Sequence, residues 1–324
     1  MWVTRAYADG LRTGKRSAAE PYPVVMPAWK DAWAEALYGD SGFYLGQRPA
    51  AHFRTSPMVS SRFAAAVARL ARDRDLTTVY DIGAGSGELL AALHRIDPRL
   101  QLVGVELRPR PSELPEPLYW LDELPADLEG LVVANEWLDT VPAHLVERDD
   151  LGVARIVLVE DGTESLGPSL ADTDAAAQTW LETWWPLTEP GQRAVIGLPR
   201  DDAARDLARR MTGGTLVLID YGHDRGDRPF LGGIRCYREG RQVQVVLDGS
   251  ADVTAPVAVD SVAQAVAGRR LTQAEALSRL GVSVPTGGSL DDLARAGRVR
   301  ELLDPSGLGG YTWIVTDSGT SPLG

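Results

Sequence analysis

At 324 residues, 44% of them hydrophobic, the chain is long enough for one large domain, or a domain with a substantial appendage, around a real core. Its 33 Lys and Arg against 45 Asp and Glu leave a net charge of -12, and Lys15 and Lys30 are the only lysines, which weighs against a phosphate-tracking nucleic-acid surface. Cys236 stands alone, so no internal disulfide or thiolate metal cage is available, and no stretch of roughly 18 apolar residues offers a membrane span. The expectation is a soluble, cytoplasmic protein without a metal; Asp9 and Glu20 weigh against a transit peptide at the start.

Residues 1 to 77 read as a helical cap. "MPAWKDAWAEALYG" is one candidate helix, and "MVSSRFAAAVARLARD" is a clearer one with Phe63, Val67 and Leu70 on its apolar face. Between them "DSGFYLGQRPAAHFRTSPMV" has the Gly and Pro punctuation of a loop, in which His52 precedes Phe53 and a lid is conceivable. From residue 78 the rhythm changes. "TVYDIG", "LQLVGVEL", "PLYWLD", "GLVVANEW", "RAVIGLP" and "GTLVLIDYG" are short apolar runs of the kind buried in a parallel sheet covered on both faces. Residues 78 to 324 are therefore expected to form a doubly wound α/β domain, interrupted by a hairpin in "AHLVERDDLGVARIVLVEDG" and another in "IRCYREGRQVQVVL". Helices follow at "SVAQAVAG", "TQAEALSRLG" and "LDDLARAGRVRELL", and "YTWIVTD" is a closing strand.

In "DIGAGSGE" Gly83, Gly85 and Gly87 follow the first strand, but Glu88 occupies the position of a dinucleotide fingerprint's third glycine, and no Gly-Lys-Ser/Thr ending is present. An acid at the helix start disfavours a phosphate ligand. A ligand with a positive centre and no phosphate suits bare backbone flanked by Asp81 and Glu88, and S-adenosylmethionine is such a ligand. Nineteen residues past Gly87, Glu106 closes the second strand where a carboxylate can accept both ribose hydroxyls. Asp122 closes the third, where it can accept from an adenine amino group while Trp120 or Leu121 packs on the ring. Acids at strand ends can equally be surface groups; the three strand ends together point to the cofactor.

Asn135-Glu136-Trp137-Leu138-Asp139 ends the fourth strand. Methyl transfer needs alignment above all, and an arginine acceptor also needs carboxylates to hold its guanidinium and take a proton. Glu136 is expected to orient the acceptor, Asp139 to assist and Asn135 to position; the bland alternatives are a helix cap at Asp139 and a satisfied buried acid at Glu136. His144 is a candidate base or a packed histidine, and His223 with Tyr221 faces the same end of the sheet. No two histidines have metal-ligand spacing. Trp180, Trp184 and Trp185 lie on one helical face and suit core packing, or a partner patch.

The passages "SGFY", "HFRTSPMVSSRF", "DIGAGSGELL", "YWLDELP", "VVANEWLDTVPAHLV", "LVLIDYGH", "DVTAPVAVDSV" and "LTQAEALSRLGV" carry a resemblance over nearly the whole chain. The sequence resembles the MidA-type S-adenosylmethionine-dependent methyltransferases, a family that includes the mitochondrial complex I assembly factor with arginine methyltransferase activity. The resemblance implies a class I, Rossmann-like methyltransferase fold with S-adenosylmethionine as cofactor. It puts Gly83, Gly85, Gly87 and Glu106 on the cofactor, Thr55, Ser56 and Pro57 beside it, and "NEWLD" facing the transferable methyl. It also implies a protein acceptor. Departures stand at Arg54, at Met58 where the family has an acid, and at Pro256 and Ala258, which replace the His and Asp of "DxTAHVDF". These leave a small-molecule acceptor, or a cofactor-binding assembly protein without catalysis, as alternatives. Oligomeric state is not legible.

Overall fold

The computed structural model describes residues 26–46 and 55–318. The loop residues His52, Phe53 and Arg54, and the lid suggested for them, lie outside the described residues, as does the start of the chain.

Burial on both faces builds the central sheet. Strands β1 (Thr78–Ile82), β2 (Gln101–Val105), β3 (Tyr119–Leu121) and β4 (Leu128–Asn135) are parallel, with β1 between β2 and β4 and β3 outside β2. Strand Met211–Asp220 continues the parallel set beside β4; Thr312–Asp317 then pairs antiparallel with it, and Arg269–Thr272 antiparallel with that strand at the edge. The result is a seven-stranded doubly wound α/β sheet. Val79, Leu131, Val133 and Val217 face one side, against Phe63, Val67 and Leu70 of helix Ser61–Asp73 and Leu89, Leu90 and Leu93 of helix Glu88–Ile96. Val132, Ala134, Leu216 and Leu218 face the other, against Ala203, Ala204 and Leu207 of helix Leu198–Arg210.

Two expectations are corrected in detail. "RAVIGLP" is not a strand of the parallel sheet: Arg193–Val195 is the edge of a second, antiparallel sheet built on the expected hairpin, in the order Thr163–Ser169, Ala154–Glu160, Leu145–Arg148, Arg193–Val195. A short apolar run between turns is compatible with either sheet, and only its partner decides. The run "MVSSRF" is not one helix: Ser60 takes an extended φ of -156° and its hydroxyl accepts from the Arg62 N–H, which ends Ser56–Val59 and starts Ser61–Asp73. The helix expected at "TQAEALSRLG" forms as Gln273–Arg279, preceded by a strand at Arg269–Thr272 that the sequence reading did not include, and Thr272 with Glu275 closes a capping box.

Helix Trp29–Tyr38 packs against strand Ala154–Glu160, and Trp33 donates its indole N–H to the Val253 carbonyl at 2.9 Å. Chain before residue 78 thus enters both cores. Trp180 and Trp185 are core residues, Trp180 donating to Asp201 at 2.8 Å. No helix among the described residues is long and apolar enough to cross a membrane.

Candidate functional site

The carboxyl ends of β1, β2 and β4 meet in a cleft of about 750 Å³, its open mouth included. One wall is the glycine loop. Gly83, Gly85 and Gly87 have φ of 73°, 62° and 84°, so the chain folds back on itself and Gly83 and Ala84 donate to the Val105 carbonyl. A Cβ on Gly87 would sit 2.7 Å from the Leu114 side chain, and one on Gly83 3.0 Å from Trp137. Gly85 faces open space, with only Glu88 within 3.5 Å of where a Cβ would stand.

Three acids converge on that loop. Glu106, buried at the end of β2, accepts from the Gly85 N–H at 3.0 Å through one oxygen and from the Arg108 N–H at 3.2 Å through the other. Glu88 accepts from the Ser86 N–H at 3.2 Å. Asp81, only 5% exposed, is held up to about pKa 8 by burial first and then by the charges of Glu88 and Glu106. Arg108 already pairs with Glu106 at 3.4 Å, and a cation placed beside Asp81 would relieve the repulsion on it, so the donor set fits a ligand that brings positive charge and hydroxyl donors. Asp122 lies one residue past the β2–β3 pair Val105–Leu121, beside Glu106 in register but exposed and off the cleft wall. Trp120 is packed over Gly104 and Leu90 and donates to the Arg108 carbonyl at 2.9 Å.

The opposite wall comes from the end of β4. Glu136 has a φ of 51°, a conformation that side chains other than glycine rarely adopt, and its N–H is anchored on the Ile219 carbonyl at 2.8 Å. The strained turn puts its carboxyl on the cleft wall, where Asn135 donates to it at 3.1 Å. Burial, and then Asp139, push Glu136 up to about pKa 8 against the hydrogen bond from Asn135. Asp139 does not line the cleft. It sits in a turn, not a helix, and its N–H and that of Leu138 donate to Asp220 at 3.2 and 2.9 Å. Arg200, fully buried over the Trp33 ring, donates to the backbone carbonyls of Asp139 and Pro256. Burial raises the pKa of both Asp139 and Asp220 in spite of that guanidinium.

Thr55, Pro57 and Met58 line the cleft; Ser56 between them is buried behind it. Tyr38 and Tyr44, stacked with ring centroids 5.5 Å apart, complete the wall, and Tyr44 donates to Asp252 at 2.9 Å. These tyrosines, Asp252 and Arg200 were not picked out as site residues from the sequence. The signal was present for Tyr44 and Asp252 in the "SGFY" and "DVTA" passages. His144 and His223 do not join the site: His144 is pushed down to about pKa 4 by burial, and His223 to about 3 by burial and then Arg228, and neither lines the cleft. Among the described residues no group of three or more His, Cys, Asp or Glu is arranged to hold a metal.

Residues 93–276 match the model of a family described as S-adenosyl-L-methionine-dependent methyltransferases. Among solved structures, the chain is similar to a superfamily member from Burkholderia thailandensis crystallised with S-adenosyl-homocysteine, at TM-score 0.78 and 23% identity over 99% of this chain and 94% of that one. A native crystal structure of a protein of that superfamily from the same organism aligns with TM-score 0.78 and 23% identity, over 99% and 93%. Among curated proteins none matches.

Proposed function

The chain belongs to this family of S-adenosyl-L-methionine-dependent methyltransferases, and we propose that it methylates a protein side chain, arginine being the acceptor its acidic hollow suits best. The observation that carries this reading is Glu136, a half-buried acid held by a left-handed backbone on the wall of the cleft that the glycine loop also lines. Bound S-adenosylmethionine supplies a methyl group on a sulfonium centre. In this reading Gly83, Gly85 and Gly87 let it approach the backbone, Asp81 and Glu106 hold its charged and hydroxyl groups, and Asp122 reaches its base from beside Glu106. Thr55 and Pro57 flank it, with Ser56 buried behind them.

The remaining chemistry belongs to the protein. Guanidinium, with a pKa above about 12, is a poor nucleophile until a carboxylate aligns it and takes a proton. Glu136 accepts that proton at its carboxylate; its raised pKa makes it a stronger base than an exposed glutamate, and an arriving cation draws it into the ionised form. Asn135 orients Glu136 through its amide, and Asp139, from behind, adds negative potential. The net charge of -12 and the scarcity of lysine support a protein acceptor over nucleic acid or a membrane surface, and the single thiol is compatible with the cytoplasm.

The test is transfer of radiolabelled methyl from S-adenosylmethionine into a lysate of cells lacking the protein, with label counted separately in the protein and small-molecule fractions. Label in protein that disappears with Glu136→Gln supports the reading. Label confined to small molecules, or full activity in Glu136→Gln, sinks it.

A further inference from the structure

The cleft is rich in carboxylates and poor in cations. Among the described residues that line it, Asp81, Glu88, Glu106 and Glu136 are acids, and Arg108, the one cation, pairs with Glu106 at 3.4 Å. S-adenosylmethionine nevertheless carries a carboxylate of its own, because one arm of its sulfonium is an α-amino acid chain that ends as a zwitterion. Set among these acids, that carboxylate is repelled unless a donor meets it.

The wall at the end of β4 holds such a donor. Trp137 is 3% exposed and lines the cleft, and its indole Nε1 is sealed from solvent with no hydrogen-bond partner. An indole N–H can only donate, and a buried one usually finds an acceptor, since leaving it unmatched costs stability. The ring edge that carries it faces the glycine loop. Cδ1, the carbon bonded to Nε1, would stand 3.0 Å from a Cβ on Gly83, and the glycine, which has none, leaves the ring room to tilt toward a ligand. Two residues earlier, Asn135 also lines the cleft and commits its Nδ2 to Glu136, while its buried Oδ1 has no partner. One wall thus offers an unmatched donor and an unmatched acceptor, the complement of a zwitterion. The unmatched ring nitrogens of His144, Trp185 and His223 belong to side chains that do not line the cleft.

We infer that Trp137 is a cofactor-binding residue: its indole N–H donates to the α-carboxylate of S-adenosylmethionine, and the Asn135 Oδ1 accepts from the α-ammonium group beside it. Strand order supports this direction. β1, which runs into the glycine loop, lies between β2 and β4. With the ribose hydroxyls on Glu106 at the end of β2, the amino acid chain leaving the sulfur runs across the loop to the end of β4, where Trp137 stands. The role of Trp137 therefore depends on the ribose being held by Glu106, as proposed above, and not on the identity of the methyl acceptor.

Calorimetry with two ligands tests the contact without turnover. One is S-adenosylhomocysteine; the other is the same thioether with a 3-aminopropyl chain, which keeps the adenosine, the sulfur and the amine but has no carboxylate. Trp137→Phe is expected to weaken S-adenosylhomocysteine about tenfold, as a donor to a charged group is lost, and to change the affinity of the aminopropyl thioether less than about twofold. With nitrogen-15 at the indoles of the nine tryptophans, one N–H resonance, absent from Trp137→Phe, should move downfield with S-adenosylhomocysteine and barely move with the aminopropyl thioether. Equal weakening of both ligands in folded Trp137→Phe makes Trp137 a packing residue and overturns the proposal. Where the phenylalanine variant does not fold, wild-type indole resonances that do not distinguish the two ligands overturn it. If Glu106→Gln leaves both affinities unchanged while Trp137→Phe weakens only the ligand with the carboxylate, the Trp137 contact stands and the ribose placement falls. If Glu106→Gln weakens both ligands while Trp137→Phe weakens neither, the ribose placement stands and the Trp137 contact falls.

Discussion

The two walls of the cleft are made in opposite ways. The glycine loop is local: within ten residues a strand ends, three left-handed glycines reverse the chain, and a helix begins, with a single distant acid, Glu106, bound to the Gly85 N–H. The acidic hollow is assembled. Glu136 and Asp139 come from the turn after β4, Asp220 from the end of strand Met211–Asp220 and Asp252 from a small separate sheet. Tyr44 and Arg200 reach it from two helices on opposite sides of residue 100. A motif that makes its own contacts binds what approaches bare backbone; a hollow drawn from remote segments holds carboxyls at ionisation states that none would have alone.

The largest effect that would sharpen this contrast is at Glu136. Glu136→Gln is expected to lower the methylation rate at least about a hundredfold while cofactor affinity, measured by calorimetry, stays within about twofold. Equal losses in both would merge the two walls into one unit. Arg200→Met removes the buried guanidinium beside Asp139 and Asp220, and urea unfolding should register a loss of roughly 3 kcal/mol at pH 8. The loss should shrink at pH 6, where the stranded carboxyls protonate. Glu106→Gln gives the complementary result: cofactor affinity down by about tenfold, since a charge-assisted hydrogen bond is lost, with the rate at saturating cofactor little changed.

The pH dependence of stability separates the hollow from ordinary surface acids. Asp81, Glu136 and Asp252 are each pushed up to about pKa 8, chiefly by burial, so the folded state keeps protons that the unfolded chain sheds near its ordinary carboxyl values of 3.8 to 4.5. Stability from these groups is full in acid and is lost as pH rises through about 8. His144 and His223, depressed from 6.5 to about 4 and 3, act oppositely, but only below about pH 6.5, where the unfolded chain binds the extra protons. Between pH 7 and 8.5 the acids dominate, and urea unfolding should show stability falling by roughly 2 to 3 kcal/mol per pH unit. The slope should be shallower in Glu136→Gln; a flat wild-type profile would mean that the hollow is better solvated than its burial indicates. The smallest effect is expected at His144, where His144→Gln should leave the methylation rate within about twofold because the ring does not line the cleft.

Much of this site was readable in the chain. The apolar runs of β1, β2 and β4 and the acids at their ends announce a parallel sheet with its ligand at the carboxyl edge, because burial on both faces removes polar residues from such strands. "RAVIGLP" misled for the same reason: a three-residue strand carries no mark of which sheet takes it. Asp139 was legible as an acid near the chemistry but not as the back layer of the site, since a turn residue's direction depends on what anchors its N–H, here Asp220.

By itself the sequence determined the glycine loop, its helix and the acid that follows it, because φ preference, capping and strand burial act over a few residues. Only the tertiary structure decided which carboxyls share a low-dielectric hollow, that Arg200 is buried among them, and that the Trp137 indole packs on the glycine loop. Those facts depend on desolvation and on contacts between segments up to 208 positions apart, which no local pattern of residue types encodes.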